Sequence, residues 1–211
     1  MCSECWTFCK YERTHVCSEK NARGYNQSKR AQNQAKTRER IVEATIELHG
    51  EVGPAATTIS MIADRAGVQR HTVYAHFPDD RSLLMACSGT TMARDPLPSP
   101  AEWAATNDPE VRLRMALGAL YRWYERNAKL MGSVVRDSEV HPLTREVTEL
   151  RAGAEMRAIA ESVTGGLEQK GKAALALAMS FHTWRTLTQD SMLDTPEAVN
   201  LMTRAIISAD H

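Results

Sequence analysis

No apolar run in this chain approaches the roughly 18 residues that a membrane-spanning helix needs. The opening MCSECWTFCK also lacks the apolar stretch of a secretory leader. Both absences lead to the expectation of a soluble, cytoplasmic chain with no membrane partner. Net charge is missing as well. The 26 Lys and Arg are matched by 26 Asp and Glu, so global electrostatics advertises no polyanionic partner. Alternation at period two, the signature of a half-buried strand, is found nowhere.

Catalytic signatures are equally scarce. The chain holds no Gly-x-Ser-x-Gly and no His-Glu-x-x-His, and His49, His141 and His182 are scattered singly. GLEQKGKA, residues 166–173, approaches the phosphate loop G-x4-G-K-[ST]. Its last position, Ala173, has no hydroxyl for a magnesium ion, and the preceding RAIAESV reads as helix where a strand is needed. This segment is expected to be a helix–helix turn with solvated lysines. No enzyme activity, cofactor or metal is expected.

Four of five cysteines (Cys2, Cys5, Cys9 and Cys17) crowd the first 17 residues, with His15 among them. Cys-x2-Cys supplies a pair of thiolates for zinc, but His15 and Cys17 stand too close together to complete the set. A thiol- or zinc-responsive extension therefore remains the alternative to a reduced, unstructured one. Between residues 10 and 40 stand nine basic residues (Lys10, Arg13, Lys20, Arg23, Lys29, Arg30, Lys36, Arg38, Arg40) against three acidic ones (Glu12, Glu19, Glu39). Polar, basic and without period, residues 1–35 are expected to be disordered. Beside a nucleic-acid-binding module, such a run becomes a phosphate-seeking arm.

Order is expected from Thr37. TRERIVEATIELHGEVG repeats Ile41, Ala44, Thr45, Leu48 and Val52 on one helical stripe, and Gly53-Pro54 stops it. In TTISMIADRAG, Thr58 serves as N-cap, while Ile59, Ile62, Ala63 and Ala66 form a stripe. Gly67 stands where a left-handed C-cap residue belongs. A short helix over residues 69 to about 76 ends before Pro78, and Asp79 or Asp80 can cap the next one. DPLPSPAEW is a break. Longer helices are expected over residues 108–131, 142–163 and 172–189, and a last one after Thr195-Pro196, capped by Thr195. The chain is all-α.

A helix-turn-helix needs a small residue where two helices cross, a flexible turn residue and an apolar anchor on the second helix. Ala63, Gly67 and Val73 supply these. With Val73 turned inward, Arg70, His71, Thr72, Tyr74 and His76 are left on the outer face. The first turn of that helix enters the major groove in this geometry. Arginine there can pair bidentately with guanine, while Thr72, Tyr74 and His76 suit phosphate oxygens, which fix register.

The run Thr57-Thr58-x3-Ile62-Ala63-x2-Ala66-Gly67-Val68-x3-Thr72-Val73-Tyr74-x-His76-Phe77-x4-Ser82-Leu83-Leu84 resembles the TetR family of transcriptional regulators, over residues 37–84. The resemblance implies a three-helix DNA-binding domain over residues 36–82 with a helix-turn-helix. It further implies a helical effector-binding and dimerisation domain over residues 83–211. On this basis the expected partners are double-stranded DNA, an unknown small-molecule effector and a second copy of the chain. The resemblance places phosphate contacts on Thr58, Thr72, Tyr74 and His76, and base contacts on Arg70, His71 and Ser60. A lysine common at the start of the family's fourth helix is Asp80 here, with Arg81 as the candidate substitute. The aromatics Trp103, Tyr121, Trp123, Tyr124, Phe181 and Trp184 serve core packing or an effector pocket, for which Tyr124 and His182 are the candidate contacts.

Overall fold

The computed structural model describes the backbone of residues 5–210 and the side chains of residues 28–210, and the chain divides into two compact units, residues 1–41 and 42–211. Among the described residues there are helices and turns and no strand. No described helix is long and apolar enough to cross a membrane.

Helix α1 (Cys5–Glu51) begins far upstream of Thr37, so the structure draws helix where the sequence reading expects disorder. In the first unit, residues 28–40 are almost wholly exposed. Lys, Arg, Gln and Ala favour helix on backbone propensity alone, which needs no apolar stripe. Cys2, Cys5, Cys9, His15 and Cys17 lie outside the residues whose side chains are described.

In the second unit, Ala44, Thr45 and Leu48 of α1 are buried as the stripe predicts, whereas Val52 lies at the surface. Gly53, at φ 97°, breaks the helix with a backbone conformation that favours glycine, and Pro54 opens a single 3-10 turn. Helix α2 (Ile59–Ala66) starts at Thr58, whose hydroxyl accepts the Met61 N–H at 3.3 Å. It ends at Gly67 in the left-handed region, φ 63° and ψ 43°. Helix α3 (Arg70–His76) follows, and Asp79 caps α4 (Asp80–Arg94) by accepting the Ser82 N–H.

Helix α5 (Pro109–Val140) extends nine residues beyond the expected end at Met131. It is the axis of the larger core. Leu113, Leu117, Leu120 and Tyr124 share the buried face that their spacing predicts. Around it stand α6 (Pro142–Thr148) and α7 (Ala154–Val163), joined by a π-turn over Glu149–Gly153. Helices α8 (Gln169–Ala178), α9 (Phe181–Arg185) with a following π-turn Thr186–Asp190, and α10 (Thr195–Asp210) complete it.

Two expectations fail here. The helix predicted over residues 172–189 is broken at Met179 and Ser180. The Ser180 hydroxyl accepts the His182 N–H and starts a new helix there. Leu177 is left on the outside, 60% exposed, while Phe181 and Trp184 are buried. The second concerns the cap of α10, which is Asp194, not Thr195. Asp194 Oδ1 accepts the Glu197 N–H at 2.8 Å, and Glu197 Oε2 accepts the Asp194 N–H at 3.0 Å. A carboxylate satisfies the first-turn donors better than a threonine hydroxyl when both are available. Within GLEQKGKA, the turn lies between α7 and α8 with Gly166 at φ 90°, and Lys170 and Lys172 are exposed.

Candidate nucleic-acid interface and effector cavity

Helices α2 and α3 cross as the small residues require. Ala63, Ile62 and Ala66 of α2 pack inward with Val73 of α3, and Phe77 closes the same core at 2% exposure. The Val68 N–H donates to the Ala63 carbonyl at 2.9 Å, and the Gly67 N–H to Asp64 at 3.2 Å. These bonds satisfy the last carbonyls of α2, and glycine holds the left-handed turn without a Cβ penalty.

This packing turns the other side of α3 outward. Arg70, His71 and Tyr74 are exposed, and Thr72 and His76 are half-buried at the rim. Thr58 stands exposed at the start of α2, with Ser60 half-buried beside it. Among the described residues, Arg70, His71, Thr72, Tyr74 and His76 make no side-chain hydrogen bond or ion pair with the rest of the chain. All seven candidate residues thus belong to α2, α3 or the cap joining them to the preceding turn. Arg81 is different. Its guanidinium donates to Glu146 of α6 at 2.7 and 3.0 Å, so the expected stand-in for the family's lysine is engaged within the chain.

The second feature is a cavity of about 340 Å³ between α1, α4, α5, α6, α7 and α9. That volume falls within the range of small-molecule sites. Trp123, Tyr124, Met131, Val134, Val135 and Phe181 are among the apolar side chains on its wall. Trp103, Tyr121 and Trp184 are buried elsewhere in the core. The two candidate contacts, Tyr124 and His182, both line the cavity. The Tyr124 hydroxyl, however, donates to the Met179 carbonyl at 2.7 Å, so it offers the cavity its ring. Burial pushes that hydroxyl's pKa up, which keeps it protonated. His182 is exposed, with Nε2 3.6 Å from Glu139 Oε1.

Two wall residues escape detection in the sequence. His49 of α1 is 7% exposed. Burial holds its imidazole neutral down to about pH 4, against the opposing pull of the Asp137 carboxylate. Arg151 comes from the π-turn and reaches α4. Neither stands in a local motif, since each reads as a lone polar residue on a helix.

Cavity and DNA-binding helices meet at one junction. Asp137 of α5, 4% exposed, accepts the Ala55 N–H at 2.9 Å and the Arg136 Nε–H at 2.8 Å. Arg136 in turn donates to the Val52 carbonyl at 3.0 Å. Burial alone would raise the Asp137 pKa, but the guanidinium and the amide outweigh it and hold the carboxyl below its ordinary value. The turn between α1 and α2 is therefore gripped by α5, whose other residues form the cavity wall.

Residues 41–87, which contain this helix-turn-helix, match the family described as bacterial regulatory proteins, tetR family. This segment of the chain is a TetR-family helix-turn-helix. Its similarity extends to the HTH-type transcriptional repressor KstR of Mycobacterium tuberculosis, 31% identical over 103 residues, or 49% of this chain and 47% of that one. KstR of Mycolicibacterium smegmatis is 30% identical over 103 residues, 49% of this chain and 50% of the relative. The chain thus matches about half the length of these curated relatives. The fold is shared more widely. The transcriptional regulator FadR from Bacillus subtilis, solved in complex with stearoyl-CoA, aligns with a TM-score of 0.61 at 15% identity, over 82% of this chain and 99% of its own. A HlyIIR mutant protein aligns with a TM-score of 0.60 at 17% identity, over 81% of this chain and 95% of its own. Within the second unit this TetR-type helix-turn-helix is followed by the helices α4–α10.

Proposed function

We propose that this chain is a cytoplasmic, ligand-released repressor that acts as a homodimer on a two-fold operator. The observation that carries the reading is the outer face of α3. Arg70, His71 and Tyr74 are exposed there with no partner among the described residues, on a helix whose opposite side is fixed by Val73. Arg70 and His71, with Ser60 beside them, read base edges, and Thr58, Thr72, Tyr74 and His76 hold phosphates. Leu177 of α8 and Leu201 of α10 remain 60% and 48% exposed on two helices that pack together. Pairing these helices with their copies would form a four-helix bundle and set two recognition helices one helical repeat apart.

The cavity is the effector site, with the Tyr124 ring and His182 on its wall. An effector releases DNA only by binding one conformation better than another. The grip of Arg136 and Asp137 on residues 52–55 is the connection through which α5 would bias the recognition helices. The relatives support the repressor reading, as both are named as transcriptional repressors.

The test is selection of bound sequences from random DNA, followed by affinity measurement on the selected site at several salt concentrations. A palindromic site is expected, with affinity falling steeply as salt rises. Arg70→Ala should weaken discrimination at one base pair per half-site by roughly 1–3 kcal/mol. Unchanged base preference in this variant would remove α3 from the groove, and sedimentation as a monomer at working concentration would refute the paired arrangement.

A further inference from the structure

The charges around the cavity point to the chemistry of its occupant. No Asp or Glu lies on the wall, and His49 is uncharged at neutral pH. His182 faces the Glu139 carboxylate. Arg151 is therefore the one permanent charge on a wall that is otherwise apolar or hydroxylic. An arginine facing an apolar cavity normally finds a carboxylate, because an unpaired charge away from water is costly. Arg151 has none among the described residues. It is held by neutral acceptors on α4 instead, with Nη2 donating to the Met85 carbonyl at 2.8 Å and Nε to the Ser88 hydroxyl at 3.3 Å. Room for the guanidinium is made by Gly89, where a Cβ would stand 3.0 Å from Nη2. Nη1 has no partner among the described residues.

We propose that the cavity takes an apolar carboxylate, whose anionic head pairs with Arg151 and whose body lies against Trp123, Tyr124, Val135 and Phe181. This rests on the effector reading of the cavity given above and names the ligand class. A planar guanidinium with a free edge matches a carboxylate, and the water-poor wall strengthens that pair over its value in solvent. The head group would also compete for donors that now hold α4, the helix that follows the helix-turn-helix. The ligand's charge would thereby be felt on the path to the DNA-binding helices.

The full chain is titrated calorimetrically with octanoate, methyl octanoate, octanol and octylamine, and the selected operator is used to follow DNA release. Octanoate is expected to bind the wild type roughly tenfold or more tightly than the other three, the range of one charge-assisted hydrogen bond. In Arg151→Met this preference should vanish while methyl octanoate binds as before. Arg151→Lys, which keeps charge without the planar fork, should retain part of it and serves if the Met variant does not fold. Equal binding of octanoate and octanol, octanoate preference surviving in a folded Arg151→Met, or no binding of any probe up to about 5 mM would overturn the assignment. DNA that stays bound at saturating octanoate would instead overturn ligand release, and the titration would still decide the ligand class.

Discussion

His49 ties the stability of the chain to pH with a sign set by its burial. Its imidazole titrates at about 4 in the folded chain, against 6.5 for the free side chain. The folded-state value is depressed, so below pH 6.5 the unfolded chain takes up a proton that the folded chain refuses. Stability is complete above about pH 6.5 and is lost progressively down to about pH 4. The whole effect is about 3 kcal/mol, of which about 2 kcal/mol is gone by pH 5. The perturbation is His49→Gln, which keeps a neutral polar side chain and removes the titration. Urea denaturation of both proteins at pH 7.5 and pH 5, at one fixed protein concentration, gives four free energies. The other titrating groups are shared and largely cancel in the comparison. The wild type should lose about 2 kcal/mol more than the variant across this interval. Parallel losses would mean that His49 is hydrated in the folded chain and would refute its placement in the wall.

Two further substitutions probe the helix-turn-helix and its attachment. Gly67→Ala forces a Cβ onto a residue at φ 63°, which should cost about 1–2 kcal/mol in thermal or urea unfolding; a neutral result would mean that the turn is not left-handed. Asp137→Ala removes the carboxylate that accepts the Ala55 N–H and frees Arg136 from its partner. A loss of about 1.5–3 kcal/mol is expected for the hydrogen bonds to the carboxylate, along with weaker DNA binding, and an unaffected variant would sever the proposed link between α5 and the recognition helices.

The helix-turn-helix was legible because its determinants are local. Ala63, Gly67 and Val73 lie within 11 residues, and each constrains backbone geometry in a way few other residue types satisfy. The cavity was legible only in outline, through Tyr124 and His182. Its wall draws on six helices, so Arg151 gains its meaning from Met85, Ser88 and Gly89, more than sixty residues away. The break at Ser180 was hidden for another reason. Leu177, Phe181 and Trp184 keep helical spacing straight through it in the sequence, and periodicity does not register that the break turns Leu177 outward. Asp137 gave no signal because an acid on a long helix reads as solvated until a distant turn is folded against it.

The π-turn at Glu149–Gly153 makes the cavity wall sensitive to chain length as well as to residue type. Upstream, Thr144, Val147 and Thr148 face the cavity; Arg151 and Ala152 do so within the turn, and Met156 downstream of it. An α-helix advances about 100° per residue, so deleting one residue within this wide turn would rotate Ala154–Val163 by about that angle against Pro142–Thr148. Met156 would leave the wall, Arg151 would lose its station over Gly89, and the residues of the outer core would be untouched in kind. A single-codon insertion or deletion here is thus a route by which relatives of this chain could exchange one ligand for another while their DNA-binding helices stay the same.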